Sequence, residues 1–281
     1  MFGSHLSISG GMFNALVEAE KLGMTTVQVF TKNQQQWVAK PLEQAAIDEW
    51  VSHLKRLKFK QTVSHDSYLI NLASPDPALR KKSTDLFVDE LRRCATLGIP
   101  YLVTHPGAHM GDGEPVGLKR VAESLDAAYA ELPGCKVVTC LEITAGQGTS
   151  LGYKLEHLAD IIEHSDNSKR LGVCLDTAHL FAAGYDFRGR KYAAFRKQID
   201  KTIGVKRVKV LHLNDSKKDL GSRVDRHDHI GRGLIGIEGF KPFVRDKDFA
   251  ELPKILETPK GPDESGREWD LVNLETLRSL M

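Results

Sequence analysis

Metal-ligand side chains recur along this chain at a nearly constant interval, each at the end of a segment whose apolar and β-branched residues are typical of a strand. The series consists of His65, His105, Glu142, Asp176, His212 and Glu257. Successive members lie 34 to 45 residues apart, close to the roughly 35 residues that one strand-helix unit takes in an eight-unit barrel of this size. Because the carboxyl ends of parallel strands meet on one face of such a barrel, this spacing predicts a metal site in a single cup.

Three further candidate ligands lie close to this series in the sequence. His179 follows Asp176 by three residues, and a helix cap at Asp176 is the structural alternative, although capping and ligation are compatible. Asp225 and His227 lie in a long loop rich in His, Asp and Gly, for which a solvated charged loop is the ordinary explanation. Glu257 ends an apolar strand, where a carboxylate is costly unless it is paired or ligated.

Together the candidate ligands offer five imidazoles and four carboxylates. This donor set suits zinc, and also manganese or iron, while the absence of a thiolate argues against a closed structural zinc site. Nine donors exceed the needs of one ion. Three ions with three protein ligands each, a bridging carboxylate and solvent at the open positions would fit a catalytic site.

The elements that must position these donors alternate between strand and helix. Strands are predicted at residues 3–7, 26–30, 62–65, 101–105, 136–141, 171–175, 208–212 and 253–256, with a final helix at 271–280. Such alternation indicates an α/β fold with parallel strands and right-handed crossovers. An open doubly wound sheet gathers ligands only near a switch point, so we predict a closed (β/α)8 TIM barrel. Without a linker or low-complexity tract, residues 1–281 are expected to form a single catalytic domain.

Composition limits the classes of protein that this chain can belong to. The length of 281 residues and the 41% hydrophobic content permit a large core, and the net charge of +2 carries no sign of a nucleic-acid binder by itself. The four cysteines form no CxxC pair and follow no secretory leader, which favours a reduced cytoplasmic setting. No apolar run approaches the roughly 20 residues needed to span a bilayer, so a membrane partner is not expected.

Several sequence words together carry a family resemblance. They are Phe-Thr-Lys-Asn-Gln at 30–34, His-Asp-Ser-Tyr-Leu-Ile-Asn-Leu at 65–72, Glu-Ile-Thr-Ala-Gly-Gln-Gly at 142–148, Asp-Thr-Ala-His-Leu-Phe-Ala-Ala-Gly-Tyr-Asp at 176–186, His-Leu-Asn-Asp-Ser-Lys at 212–217 and Gly-Ser-Arg-Val-Asp-Arg-His at 221–227. From Ser4 through Glu257 the chain resembles endonuclease IV, the metal-dependent apurinic/apyrimidinic endonuclease of base-excision DNA repair.

The resemblance implies a TIM barrel that holds three zinc ions, with manganese or iron as possible partial substitutes, and all nine ligands are present. One zinc is expected at His65, His105 and Glu142, and Glu142 would bridge to a second zinc. The second would bind Asp176, His212 and Glu257. The third would bind His179, Asp225 and His227.

The resemblance also implies the reaction, with Glu142, Glu257 and Asp176 as the expected catalytic residues. A water held between two zinc ions is ionised near neutral pH and can attack phosphorus without a separate side-chain base. Cleavage 5′ to an abasic site would leave a 3′ hydroxyl and a 5′ deoxyribose phosphate. Removal of 3′ blocking groups is expected as well.

The expected partner is damaged double-stranded DNA, bound by a monomer. By resemblance, Tyr68 and Leu69 enter the duplex and help to turn out the abasic nucleotide, which costs least where the base is already missing. Gln35 stands where many relatives carry Arg and can hydrogen-bond but cannot supply charge. The candidate phosphate contacts are Lys32, Lys217, Lys218, Arg223, Arg226 and Arg232, for which loop solvation is the alternative.

Two other functions fit parts of the pattern. A sugar isomerase or epimerase of the xylose-isomerase-like group also gathers Glu, Asp and His at strand ends, but it needs only one or two ions and leaves His65, His179, Asp225 and His227 without a role. A non-catalytic binder of damaged DNA has no need for an activated hydroxide. The number of bound ions and the turnover of a Glu142→Gln variant separate these alternatives.

Overall fold

Strands and helices alternate along the computed structural model, which describes residues 1–281. In chain order the strands are β1 Phe2–Ser4, β2 Gln28–Val29, β3 Val63–His65, β4 Tyr101–Thr104, β5 Val138–Glu142, β6 Leu171–Asp176, β7 Val208–His212, β8 Asp215–Ser216, β9 His227–Asp228 and β10 Lys254–Leu256. All eight predicted strands are confirmed, with ends shifted by a few residues. The antiparallel pair β8–β9 lies in the loop after β7 and was not predicted.

The other eight strands form one parallel sheet that closes on itself. Its order is β1-β10-β7-β6-β5-β4-β3-β2. A parallel bridge between His5 and Gln28 joins the two outermost strands, and the Leu6 amide donates to the Gln28 carbonyl at 2.9 Å. The predicted α/β class and TIM barrel are therefore confirmed.

Nine helices surround the sheet. They are α1 Phe13–Lys21, α2 Gln44–Leu57, α3 Pro77–Leu97, α4 Glu114–Ala130, α5 Leu155–His164, α6 Thr177–Ala183, α7 Tyr192–Thr202, α8 Ile237–Arg245 and α9 Trp269–Ser279. Helix α3 shows how local sequence sets the bounds: Asp76 accepts hydrogen bonds from two amides of the first turn, Pro77 follows it, and Gly98 ends the helix at φ +69°. None of the helices combines the length and apolar character that crossing a membrane requires.

The apolar core has two layers. An outer cluster of 57 buried residues fills the space around the sheet. A separate inner cluster contains one buried residue from each of six strands: Val63, Val103, Cys140, Cys174, Val210 and Ile255. Three of the four cysteines are buried and all four are free thiols, as expected for small core residues.

Candidate metal centre

Each of the six strand-end ligand candidates lies two residues after a member of the inner cluster. The pairs are Val63 with His65, Val103 with His105, Cys140 with Glu142, Cys174 with Asp176, Val210 with His212, and Ile255 with Glu257. Side chains two residues apart on a strand point to the same face of the sheet. The six donors therefore share the inward direction of the apolar layer and meet at the mouth of the barrel.

Glu142, at the end of β5, lies at the centre of this group. Its Oε2 is 3.0 Å from Nε2 of His65 and 3.1 Å from Nε2 of His105. Its Oε1 is 2.9 Å from Nδ1 of His212 and 3.3 Å from Nδ1 of His179. One carboxylate thus faces imidazoles on both of its oxygens, which is the arrangement that a bridging ligand requires.

A second group of donors surrounds His212. Its Nδ1 lies 3.1 Å from Oε2 of Glu257 and 3.9 Å from Oδ2 of Asp176. Ligand atoms of Glu142, Asp176, His212 and Glu257 all lie within 4.8 Å of one another. Asp176 also accepts a 2.8 Å hydrogen bond from the His179 amide, so it caps helix α6 while its other oxygen faces the cup.

The third group comes partly from the long loop after β7. Pairing of β8 with β9 turns this loop back, so that Asp225 and His227 reach the cup. Asp225 lies between two imidazoles, with 3.1 Å from Oδ2 to Nε2 of His179 and 3.2 Å from Oδ1 to Nε2 of His227. His227 is also 3.8 Å from Asp176. The structure thus brings all nine predicted donors together.

Backbone carbonyl groups outside the cup orient three of the imidazoles. Nδ1 of His65, His179 and His227 lies 3.0, 2.9 and 3.1 Å from the carbonyl oxygens of Asp66, Ile143 and Glu257. Donation through the outer nitrogen leaves the inner Nε2 free to ligate a metal. The inner Nε2 of His227 is buried and makes no hydrogen bond, as expected for a ligand atom. The donor set and its orientation therefore fit a metal cluster.

The balance of charge among the donors also fits a metal cluster. Burial raises the pKa of the Glu142 carboxyl, but the positive charges of His212 and His105 outweigh burial and hold that pKa well below its usual range. Burial lowers the pKa of His65 and of His227, yet neighbouring carboxylates raise each to about 9. Protons on the imidazoles compensate the buried carboxylates, and metal dications would replace those protons.

A thiol lies close to the cluster without resembling a ligand. Cys174 Sγ lies within 4.8 Å of ligand atoms of Glu142 and His212. Burial raises the pKa of this thiol to about 12. In the metal-free protein this thiol therefore keeps its proton at neutral pH, unlike the carboxylates of the cluster.

The sequence analysis did not identify three residues that hold the candidate ligands in place. Gln28 contacts both His212 and Glu257, and His5 lies 3.6 Å from Glu257. Asn214 donates to Asp176 at 2.6 Å and accepts from the Glu257 amide at 2.7 Å. The sequence did contain a signal for two of them. No candidate ligand had been assigned to the first two strands, and His5 and Gln28 lie in or next to those strands.

Five of the predicted DNA-contact residues lie on loops around the cup. Gln35 and Tyr68 are exposed, and Leu69 is half-buried beside them in a cavity of about 990 Å³. Arg223 and Arg226 are exposed on the loop after β8, and the Arg223 guanidinium stacks over the ring of Tyr153 at 4.5 Å. These positions are compatible with contact to a large ligand at the mouth of the barrel.

The position of Lys32 disagrees with its predicted role as a phosphate contact. The residue is only 6% exposed. Its ammonium donates to the Gln36 carbonyl at 2.9 Å and lies 3.5 Å from Glu90. The Lys32 charge is therefore directed into the protein, and the expectation of a direct phosphate contact is corrected for this residue.

Comparison with known proteins gives close relatives over the whole chain. A family described as the xylose isomerase-like TIM barrel matches residues 16–278. A probable endonuclease 4 of Chloroflexus aurantiacus is 51% identical over 281 residues, which covers 100% of this chain and 98% of that protein. A probable endonuclease 4 of Geobacter sulfurreducens is 46% identical, with 99% and 94% covered.

Solved structures give the same relationship. The crystal structure of endonuclease IV from Thermus thermophilus superposes with a TM-score of 0.88 at 36% identity and covers 99% of this chain and 98% of that one. A D-tagatose 3-epimerase-like protein reaches a TM-score of 0.74 at 20% identity, with 99% and 96% covered. At that identity the second likeness concerns the fold alone.

Proposed function

Since the chain belongs to the endonuclease IV family of xylose isomerase-like TIM barrels, we propose that it is a metal-dependent endonuclease that hydrolyses the phosphodiester 5′ to an abasic site in duplex DNA. The products are a 3′ hydroxyl and a 5′ deoxyribose phosphate, and 3′ blocking groups are removed at the same site. The convergence of nine imidazole and carboxylate donors around Glu142 carries this proposal.

Three zinc ions are the proposed cofactor, with partial replacement by manganese or iron. When bound, they supply Lewis-acid activation of water near neutral pH and neutralise charge at phosphorus. Glu142 joins two groups of ligands through its two oxygens. Asp176 and Glu257 are further carboxylate donors close to Nδ1 of His212. Asp225 links His179 to His227.

The loops around the cup supply the proposed contacts to DNA. Tyr68 is 72% exposed beside the cluster, so it can reach into a duplex without leaving its place. Leu69 and Gln35 border the same cavity. Arg223 and Arg226 present exposed cations for phosphate. Because an abasic nucleotide has no base to unstack, a rigid cup of this kind favours damaged DNA.

We also propose that residues 1–281 act as one catalytic domain and as a monomer, because all nine donors come from a single chain. The cytoplasm is the proposed compartment. It is supported by four cysteines that are all free, three of them buried.

Metal analysis and incision of a duplex with one abasic-site analogue test the proposal together. Close to three metals per chain, with incision only 5′ to the analogue and none of the unmodified duplex, is the expected result. One metal per chain without incision would instead favour a sugar isomerase. The Glu142→Gln variant is expected to lose incision by about 100-fold or more, since it removes the bridging carboxylate and even residues that only orient metal ligands have effects of up to this size. Full turnover by that variant would contradict catalysis by the cluster.

A further inference from the structure

A buried polar network lies beside the cup and takes no part in the proposed chemistry. The Lys32 ammonium and the Glu90 carboxylate approach to 3.5 Å, and their side chains are 3% and 2% exposed. Glu90, on helix α3, also accepts a 2.7 Å hydrogen bond from the Thr31 hydroxyl. Burial of an ion pair contributes little net stability in comparison with apolar packing, so stability alone does not account for this pair.

The network holds one loop at three points. The loop is the segment 31–40, called here the Gln35 segment. At its start, the Arg93 guanidinium donates to the Thr31 carbonyl at 2.7 Å. At its end, the same guanidinium donates to the Lys40 carbonyl at 3.1 Å. Between them, Lys32 donates to the Gln36 carbonyl at 2.9 Å, next to Gln35 itself.

A second link joins this loop to its neighbour. Ser67 is 2% exposed, and its hydroxyl donates to the Gln34 carbonyl at 2.7 Å. Ser67 directly precedes Tyr68 and Leu69, so the segment 66–72, called here the Tyr68 segment, is tied to the Gln35 segment. Glu90 and Arg93 belong to α3, the helix that follows the Tyr68 segment. One set of contacts therefore fixes both loops.

We infer that Glu90, Arg93 and Ser67 are positioning residues that hold the Gln35 and Tyr68 segments as one preformed surface for duplex DNA. The inference rests on the proposed function. Loops that are ordered before binding reduce the entropy lost on association, so affinity for a large ligand depends on them. None of the three side chains needs to touch DNA, and no hydrogen bond or ion pair joins any of them to a candidate metal ligand.

Two variants and a matched control test this inference. Glu90→Gln removes the buried negative charge at nearly constant size. Ser67→Ala removes the link between the loops, together with the 3.3 Å hydrogen bond that the Leu69 amide donates to the same hydroxyl. It leaves the buried charges in place, so it remains informative if the first variant folds poorly. Ser165→Ala is the control, since its buried hydroxyl also donates a single 2.7 Å hydrogen bond, to Asp126, at the end of α5.

The measurements separate binding from chemistry. We expect Glu90→Gln and Ser67→Ala to raise KM for an abasic duplex about tenfold and to leave kcat within about twofold. Turnover of bis(p-nitrophenyl) phosphate, a diester too small to contact the loops, should match the wild type. The fluorescence increase of a 2-aminopurine opposite the abasic site should be smaller than with the wild type, while Ser165→Ala changes none of these quantities.

Three outcomes overturn the inference. An unchanged KM in both variants would show that the loops need no such support, although wild-type incision would still agree with the proposed function. An equal loss of diester turnover and duplex incision would indicate general damage to the fold. Diester turnover without any wild-type incision of abasic duplex would refute the proposed function itself.

Discussion

The side-chain amide oxygen of Gln28 lies 2.8 Å from Nε2 of His212. The amide nitrogen of the same side chain donates to Oε1 of Glu257 at 2.6 Å. A carbonyl oxygen at Nε2 places the ring proton there, which leaves Nδ1 to face Glu142 and Glu257 inside the cup. Gln28 therefore sets both the tautomer of one candidate ligand and the orientation of another.

Replacing Gln28 should weaken metal binding rather than the fold. For Gln28→Ala we expect metal affinity to fall about 10- to 100-fold, because residues that orient metal ligands typically have effects of this size. Competition with a chromogenic chelator measures the affinity. Gln44→Ala is the control, since Gln44 lies on the exposed surface of α2 and its side-chain amide donates to Asp48. Equal affinities for the wild type and Gln28→Ala would contradict a role for Gln28 in orienting ligands.

Metal binding should release protons near neutral pH. In the metal-free protein the pKa of His65 and of His227 is raised to about 9, so both are protonated at pH 7.5. Zinc must displace these protons, and release should decline as pH rises through 9 because the imidazoles are then already neutral. Calorimetric titration of metal-free protein in buffers of different ionisation enthalpy should give about two protons or more, because neighbouring acidic groups outweigh burial and also raise the pKa of His179 and His212.

The proton count has an internal control. His227→Gln should reduce proton release at pH 7.5, whereas His164→Gln, on the exposed end of α5, should leave it unchanged. Binding enthalpies that do not depend on the buffer would contradict the prediction.

Arginines on the loop after β8 should contribute to the salt dependence of DNA binding. The exposed Arg226 is expected to neutralise one phosphate, so Arg226→Ala should reduce the slope of log K against log salt by ~0.9. Equilibrium binding to an abasic duplex between low and moderate salt measures this slope. Lys201→Ala serves as the control because Lys201 is exposed on α7. Equal slopes for wild type and Arg226→Ala would show that Arg226 does not contact a DNA phosphate.

Lys254, at the first residue of β10, should make stability depend on pH. The side chain is buried, and burial lowers the pKa of Lys254 to about 8, whereas the unfolded chain has a lysine pKa of about 10.4. Between these values the unfolded state binds more protons, so stability rises with pH through this window and is insensitive below it. The wild type should therefore gain about 2 kcal/mol relative to Lys254→Met between pH 8 and pH 10.

Urea unfolding of both proteins at the two pH values measures this difference. Lys254→Met removes the titrating ammonium, so the pH effects of groups that do not interact with Lys254 cancel between the two proteins. A difference in unfolding free energy that stays constant with pH would show that Lys254 keeps its ordinary pKa in the folded protein.

The sequence by itself determined the barrel and the six donors at the strand ends. Both follow from local regularities, namely one ligand per strand-helix unit and the two-residue period of a strand, which places His65 on the face of Val63 and Glu142 on the face of Cys140. Such periods can be counted along the chain without knowledge of distant contacts. The candidate loop ligands Asp225 and His227 were marked by their residue types.

Only the tertiary structure decided which side chains support the donors and which charges are free. Gln28 and His212 are 184 residues apart in sequence, and no local pattern links an amide in the second strand to an imidazole in the seventh. Lys32 lies in a polar loop, and the sequence of that loop predicts an exposed cation. In the structure, helix α3 brings Glu90 to within 3.5 Å of it. Burial and pairing depend on what the closed barrel packs together, and the sequence of one loop does not contain that information.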